Sequence, residues 1–322
     1  MNRWMKGASF TLLLALAACS QEAEQQPIQP AVQEEVGQYP KTITLEGESV
    51  TIEQKPEKIL PLSLDVAEIV MQLTDGEGVV AISKGIEDPY LSTYPESASK
   101  ITEHIASAVH IDPEQILSYE TDLLLLTKMH GQEQDAYDIL RQANVPILAF
   151  ETMRSMEAYR TNLKTIGKAI GEEEKANNIV AQMEREIADI QGAITWEEDK
   201  PSVLVLSEVG PGTGPYMMGP GNVSQDIIEQ AKAIPAVQKI GLERSAKAEM
   251  EQVLKMDPDY IILLDWKGEK EAAYEALLND AAWQTLRAVK EGRIKVVEAK
   301  YFLNPNAANI EGLRMLVDWL GE

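Results

Sequence analysis

Short apolar segments alternate with helical patterns along most of the chain, and this alternation restricts the possible folds more than any other feature. Apolar runs at residues 59–62, 79–82, 123–126 and 147–150 are separated by segments such as 65–73, in which apolar residues recur every three or four positions. Buried strands that alternate with helices form βαβ units, whose parallel sheet is covered by helices on both faces. The sequence therefore predicts an α/β fold.

The alternation stops after residue 152 and resumes at residue 201. Between these points lie two amphipathic helical stripes, separated by Gly171 at a position where a helix is expected to end. Three further apolar runs follow, at residues 203–206, 260–264 and 294–297. An alternating pattern around Glu46-Gly47-Glu48 also predicts a β-hairpin at the start of the globular part. We predict an N-terminal lobe at 42–152, a helical linker at 153–200 and a C-terminal lobe at 201–322.

The amino terminus has the layout of a secretory signal. Residues 1–18 begin with basic residues and continue with a Leu-rich stretch that is shorter than the ~20 apolar residues needed to span a bilayer. The sequence Leu16-Ala17-Ala18-Cys19 resembles a bacterial lipobox, which implies that Cys19 becomes the first mature residue and carries a lipid anchor. A chance cysteine in an ordinary signal peptide is the alternative. Residues 19–41, rich in Gln, Glu and Pro, predict a disordered tether.

Charge and motif content exclude several classes of function. The chain has 29 Lys and Arg against 52 Asp and Glu, a formal net charge of −23, which argues against a nucleic-acid partner. A single cysteine excludes an intramolecular disulfide and a cysteine-based metal site. The glycine-rich segment 210–215 has Pro215 where a dinucleotide-binding loop needs glycine, and the chain has no Gly-x-Ser-x-Gly motif. We therefore do not expect an enzyme.

One short motif occurs twice, once in each predicted lobe. Residues 112–117 and 249–254 each place a glutamate, Glu114 or Glu251, in the first turn of a predicted helix, and Asp122 or Asp259 follows eight residues later, just before a strand. A glutamate near a helix N-terminus is often only a favourable partner of the helix dipole, worth about 0.3–1 kcal/mol. Its occurrence at matched positions in both lobes instead indicates two equivalent points on the surface.

These segments carry a family resemblance. Residues 55–63 with Val66-Ala67-Glu68, the two glutamate motifs and residues 283–294 resemble the substrate-binding lipoproteins of ABC importers for siderophores, haem and cobalamin, the class III periplasmic binding proteins. The resemblance implies two Rossmann-like lobes with parallel sheets, joined by one long rigid helix, with a ligand cleft between them. It also implies a monomer without a cofactor, in which Glu114 and Glu251 dock on arginines of the membrane permease.

Residues that follow the predicted strands are the candidates for lining this cleft, because ligands of open α/β sheets bind beyond the carboxyl ends of the strands. The candidates are Lys84, Tyr90, Lys128, Met129, His130, Tyr216, Met217, Met218, Trp266 and Tyr301. Aromatic, Met and Lys side chains would suit a large, partly apolar, anionic ligand. The alternatives are core packing for the two methionines 217 and 218, solvated charges for the lysines and an ordinary hydrogen-bonded His130.

The ligand class is reached by elimination. Haem-binding members often carry a Tyr before the glutamate helix, whereas residues 104–110 here contain none, and the aromatic content of 6% does not favour cobalamin. A ferric siderophore is therefore the leading expectation, with haem or cobalamin as alternatives. A zinc or manganese importer protein is a further alternative, but its possible ligands, His104, His110 and His130, all lie in the first lobe. The expected location is the cell envelope, on the outer face of the cytoplasmic membrane or on the periplasmic side.

Overall fold

The computed structural model describes residues 38–105, 112–128, 139–142, 145–196, 198–208 and 215–322. The predicted signal peptide, Cys19, most of the tether, Met129 and His130 lie outside these residues, as does most of the glycine-rich segment. The described residues belong to one compact unit, residues 36–322. No helix among them is both long enough and apolar enough to cross a membrane.

The N-terminal lobe is built on short parallel strands. Its strands are β1 (Lys41–Leu45), β2 (Glu48–Ile52), β3 (Ile59–Pro61), β4 (Ile82–Ser83), β5 (His104–Ile105), β6 (Leu123–Thr127) and β7 (Ile147–Phe150). Its helices are α1 (Leu64–Thr74), α2 (Pro95–Ala98) and α3 (Pro113–Ser118). Strands β3, β6 and β7 form a parallel sheet in that order, and β4 pairs with β5. The predicted hairpin is confirmed as the antiparallel pair β1–β2.

Two helices, not one, follow the first lobe. They are α4 (Met156–Ile170) and α5 (Glu173–Gly192). Gly171 adopts the left-handed conformation and ends α4, as its position in the sequence predicted. The helices pack closely because Gly167 faces Ala176, where an added Cβ would collide with the alanine methyl group. The long helix of this segment is α5, which extends over 20 residues and leads into the C-terminal lobe, and the shorter α4 packs against it.

The C-terminal lobe contains a larger sheet. Its strands are β8 (Ser202–Glu208), β9 (Pro215–Met217), β10 (Ile234–Pro235), β11 (Ala246–Lys247), β12 (Tyr260–Asp265) and β13 (Ile294–Glu298). Its helices are α6 (Val223–Gln230), α7 (Met250–Met256), α8 (Glu275–Leu278), α9 (Arg287–Lys290) and α10 (Asn309–Leu320). The strand order is β11-β9-β8-β12-β13, and β10 also pairs with β8. Because β9 and β11 run antiparallel to their neighbours, this sheet is mixed and not purely parallel.

Alternate residues of each sheet face different cores, as the period of two along a strand requires. One core is shared by both lobes and by α4 and α5; its sheet residues include Ile59, Leu125, Phe150, Val203, Ile262 and Leu264. The opposite faces fill two separate cores, one containing Leu60, Leu124 and Leu126 and the other Leu204, Leu206, Ile261 and Leu263. Both sheets are thus buried on both faces, and their strand ends remain to form a site.

Candidate functional site

The loop after β12 is organised by a buried carboxylate. Asp265 is 4% exposed and accepts hydrogen bonds from the backbone N–H groups of Lys267, Gly268 and Lys270, at 3.0, 2.8 and 3.1 Å. The loop also carries Trp266, whose indole N–H donates to Ser207 Oγ at 2.7 Å. These bonds hold the half-buried indole at the carboxyl ends of β8 and β12, where the sequence predicted a ligand-binding residue.

A segment of the first lobe meets the second lobe beside this loop. Lys300 donates its backbone N–H to the carbonyl oxygen of Tyr90 at 2.7 Å and its Nζ to that of Pro89 at 2.9 Å. Asn304 Nδ2 donates to the carbonyl oxygen of Leu91 at 3.4 Å. All three acceptors are backbone atoms of one short segment, so residues 89–91 form a junction between the lobes.

Three predicted ligand residues lie at this junction. The Tyr90 hydroxyl packs so closely on Gly268 that a Cβ there would collide with it. Lys300 Nζ lies 5.3 Å from the ring centre of Tyr301 and forms a 2.7 Å ion pair with Glu298. The structure therefore brings Tyr90, Tyr301 and the loop of Trp266 together around Lys300, a residue that sequence reasoning did not select.

A second buried carboxylate, that of Glu68, holds the chain just after the junction segment 89–91. Glu68, on α1, is fully buried and accepts hydrogen bonds from the backbone N–H of Thr93, at 3.1 Å, and from its hydroxyl. Burial raises the pKa of Glu68, and these hydrogen bonds oppose the rise. Sequence reasoning missed this role, although an acid inside the apolar stripe of α1 was a visible signal.

At the carboxyl ends of β3 and β6 the polar groups bond to one another. The backbone N–H of Thr127 donates a hydrogen bond to Ser63 Oγ at 3.0 Å, and the Thr127 hydroxyl donates to the Asp65 carboxylate at 2.7 and 2.8 Å. All three side chains are buried. This cluster fixes the start of α1 on the sheet and offers no free polar group to a ligand.

The two predicted lysines differ in their surroundings. Lys84 is exposed in the short 3-10 helix after β4. Lys128 Nζ lies 2.6 Å from Glu46 and 3.3 Å from Glu151. The hydrogen bond to Glu46 raises the pKa of Lys128 above its usual value, and Glu151 acts in the same direction. The charge of Lys128 is therefore already neutralised by two carboxylates.

The methionine pair requires a correction. Met217 is 0% exposed and Met218 2% exposed, and they pack into different cores. The reason is that β9, which ends at Met217, lies between β8 and β11 in a sheet that is covered on both sides, and Met218, the next residue, packs into the core opposite to that of Met217. Neither side chain is accessible to a ligand, and the prediction that they line the cleft is wrong. Tyr216 is only partly buried.

The repeated motif has the same architecture in both lobes. Glu114 on α3 and Glu251 on α7 are exposed, and neither forms an ion pair with any residue that the structure describes. The following aspartates hold neighbouring strands together. Asp122 accepts the N–H groups of Glu57 and Lys58 before β3, and Asp259 accepts the N–H and hydroxyl of Ser202 at the start of β8. The aspartates are thus structural, and the glutamates remain free at the surface.

The residues that the structure describes contain no candidate metal centre. Across residues 38–322 outside the gaps, no three His, Cys, Asp or Glu side chains are grouped so that they could hold a metal ion. His104 forms a 2.8 Å contact from Nε2 to Glu87 Oε1. His110, like His130, lies outside the described residues.

Comparison with known proteins identifies relatives over nearly the full length. The uncharacterized ABC transporter substrate-binding lipoprotein YvrC of Bacillus subtilis (strain 168) is 27% identical over 322 residues, covering 97% of this chain and 96% of YvrC. The petrobactin-binding protein YclQ of the same organism is 21% identical over 255 residues, covering 78% of this chain and 77% of YclQ.

The fold is shared with solved structures. That of the apo periplasmic heme-binding protein RhuT from Roseiflexus sp. RS-1 has a TM-score of 0.70 and 24% identity, covering 82% of this chain and 97% of RhuT. A family model described as periplasmic binding protein matches residues 59–301, from the first strand of the N-terminal sheet to Tyr301. Members of this family are binding proteins and not enzymes. The chain belongs to the periplasmic binding protein family.

Proposed function

We propose that this chain is the extracytoplasmic substrate-binding protein of an ABC importer, anchored by lipid at Cys19, and that it delivers a ferric siderophore to the permease as a monomer. The observation that carries the proposal is the family match over residues 59–301. The acidic charge fits a protein that recognises a basic region of a permease and not a nucleic acid.

The lobe junction supports a large, partly apolar ligand. It combines the half-buried side chains of Tyr90, Trp266 and Tyr301, whose aromatic faces would bury the apolar part of such a ligand. The ammonium group of Lys300 beside them is already paired with Glu298, so it adds little net positive charge for an anionic ligand. The name of YclQ supports a siderophore, whereas that of RhuT supports haem. Haem and cobalamin are therefore the alternative ligands of the same cleft.

Tryptophan fluorescence tests the ligand class. Trp266 lies at the predicted cleft, whereas Trp283 is buried in the C-terminal core and Trp196 donates its indole N–H to Ala231, away from the junction. Titration with a panel of ferric siderophores should quench the emission of the wild-type protein. The same titration of Trp266→Phe should lose most of the quenching, whereas Trp196→Phe, the matched control, should keep it.

The outcomes separate the ligand classes. Quenching by at least one ferric siderophore at sub-micromolar concentration, absent with the iron-free form, supports the proposal. Tight binding of haem or cobalamin with no response to any siderophore would replace the ligand but keep the importer function. A response to zinc or manganese salts alone would contradict the iron-chelate proposal altogether.

Anchoring is tested separately. Cys19→Ser should leave ligand binding unchanged and should move the protein from the membrane fraction to the soluble envelope fraction or the medium. Unchanged membrane association of Cys19→Ser, with normal processing of the signal peptide, would contradict the anchor.

A further inference from the structure

Two leucines on the surface break the usual pattern of this chain. Leu117 on α3 is 42% exposed and Leu254 on α7 is 38% exposed, whereas most large apolar side chains in the described ranges are buried. A single exposed leucine is common on protein surfaces and needs no explanation. These two, however, occupy the same position of the repeated motif, three residues after Glu114 and Glu251.

The correspondence between the two copies extends over the whole motif. In each copy the residue before the leucine, Ile116 or Val253, is buried at 2% or 1% exposure. Six residues after the glutamate, each copy has an acidic residue in the left-handed conformation, Glu120 with φ 50° or Asp257 with φ 42°. The two helices therefore present the same side chains from the same local backbone, and the leucine exposure is a property of the motif.

Glutamate and leucine lie on the same face of each helix. Residues three apart on a helix are neighbours, with Cβ atoms about 5–6 Å apart. Each copy therefore presents a carboxylate beside an apolar side chain, and the intervening glutamine, Gln115 or Gln252, is also exposed. We define these two surfaces as the N-foot (Glu114, Gln115, Leu117) and the C-foot (Glu251, Gln252, Leu254).

We propose that Leu117 and Leu254 insert into two equivalent apolar pockets of the permease, each next to a basic side chain that pairs with the glutamate of the same foot. This inference rests on the proposed function and adds to it a contact that is not electrostatic. The leucines supply the desolvated centre of each contact and slow dissociation, whereas the glutamates steer association and set the orientation.

The net charge of this chain and the repetition of the motif indicate which partner covers the N-foot and the C-foot. A second copy of this chain carries the same net charge of −23 and would bring carboxylates against carboxylates, and an anionic lipid surface would repel both feet. A partner that meets two copies of one motif needs two copies of the matching site, as a protein with two equivalent halves provides. A permease with two related halves meets both requirements.

The experiment measures binding of the mature protein to the permease that imports the bound chelate, reconstituted with its ATPase subunits in lipid nanodiscs. Leu117→Gln and Leu254→Gln should each raise the Kd about tenfold, as expected for losing the burial of part of a leucine side chain, and the increase should lie in the dissociation rate. Glu114→Gln and Glu251→Gln should instead slow association and reduce its dependence on NaCl. Ile234→Thr, the matched control at a residue that is 40% exposed outside the motif, should leave the Kd unchanged.

Each outcome of this experiment supports or overturns a named part of the inference. If the leucine variants bind like wild type while the glutamate variants bind weakly, the feet are purely electrostatic, and this inference fails while the proposed function stands. Absence of binding by the wild-type protein itself would overturn the proposed function. Leucine-dependent dimerisation in solution, or leucine-dependent binding to protein-free vesicles of anionic lipid, would overturn the choice of occupant. Quenching titrations and melting curves, which should match wild type for every variant, exclude misfolding as the cause.

Discussion

Gly268 is the position where a single added methyl group should destabilise the junction between the two lobes. Gly268 has φ +77°, and an added Cβ would collide with the hydroxyl end of Tyr90. Gly268→Ala therefore introduces two penalties. Placing a non-glycine residue in the left-handed conformation costs about 1–2 kcal/mol, and forcing extra volume into a packed contact costs about 1–3 kcal/mol. The free energy of unfolding should fall by about 2–5 kcal/mol.

A matched glycine isolates the collision. Gly292 has φ +69° and no atom within 4 Å of an added Cβ, so Gly292→Ala should carry the backbone penalty alone. Urea unfolding followed by circular dichroism measures both variants. In a double-mutant cycle, Tyr90→Ala should recover about 1–3 kcal/mol of the loss caused by Gly268→Ala and none of that caused by Gly292→Ala. Equal losses at the two glycines, with no coupling to Tyr90, would refute the tight junction.

Three further changes test the buried polar and packing contacts. Asp259→Ala leaves the N–H and hydroxyl of Ser202 without their acceptor, and it should lower the free energy of unfolding by about 2–3 kcal/mol in urea titrations. Burial raises the pKa of Glu68, so the folded state binds more protons than the unfolded state. The free energy of unfolding should therefore fall as the pH rises above the ordinary glutamate pKa. Glu68→Gln should flatten this pH dependence, measured by urea unfolding at several pH values. Gly167→Val should lower stability by about 1–3 kcal/mol, read as a lower melting temperature, because its side chain would collide with Ala176.

Contrary results would have specific meanings. A loss below about 0.5 kcal/mol for Asp259→Ala would show that water replaces the carboxylate at the strand ends. A slope that persists unchanged in Glu68→Gln would assign the pH dependence to other groups. Normal melting of Gly167→Val would mean that α4 and α5 can move apart without loss.

The sequence predicted the features that depend on local pattern. The alternation of apolar runs and helical stripes identified both lobes' central strands, and Gly171 marked the helix end that the structure places there. The turn of the β1–β2 hairpin was equally visible, because Glu46-Gly47 adopts the positive φ angles that such a turn requires.

Other features depend on contacts between distant residues and could not be read from local pattern. Lys128 is neutralised by Glu46, 82 positions earlier in the chain. Met217 and Met218 are adjacent and apolar, which fits both a cleft and a strand buried on both faces; only the placement of β9 within the sheet decides for burial. Asp265 resembles a surface acid in the sequence, whereas Glu68 interrupts an apolar helix; which loop each of them holds depends on partners that local pattern does not identify.

We propose that ligand binding and delivery to a permease use separate parts of this molecule. The most direct test of this separation is uptake of radioactive iron, supplied as the bound ferric chelate, by cells whose only copy of this chain carries Glu114→Ala and Glu251→Ala. We predict that uptake is lost while the Kd for the chelate, measured by fluorescence quenching of the purified variant, stays at the wild-type value. Normal uptake by the double variant, or loss of chelate affinity together with uptake, would contradict this separation of ligand binding from delivery.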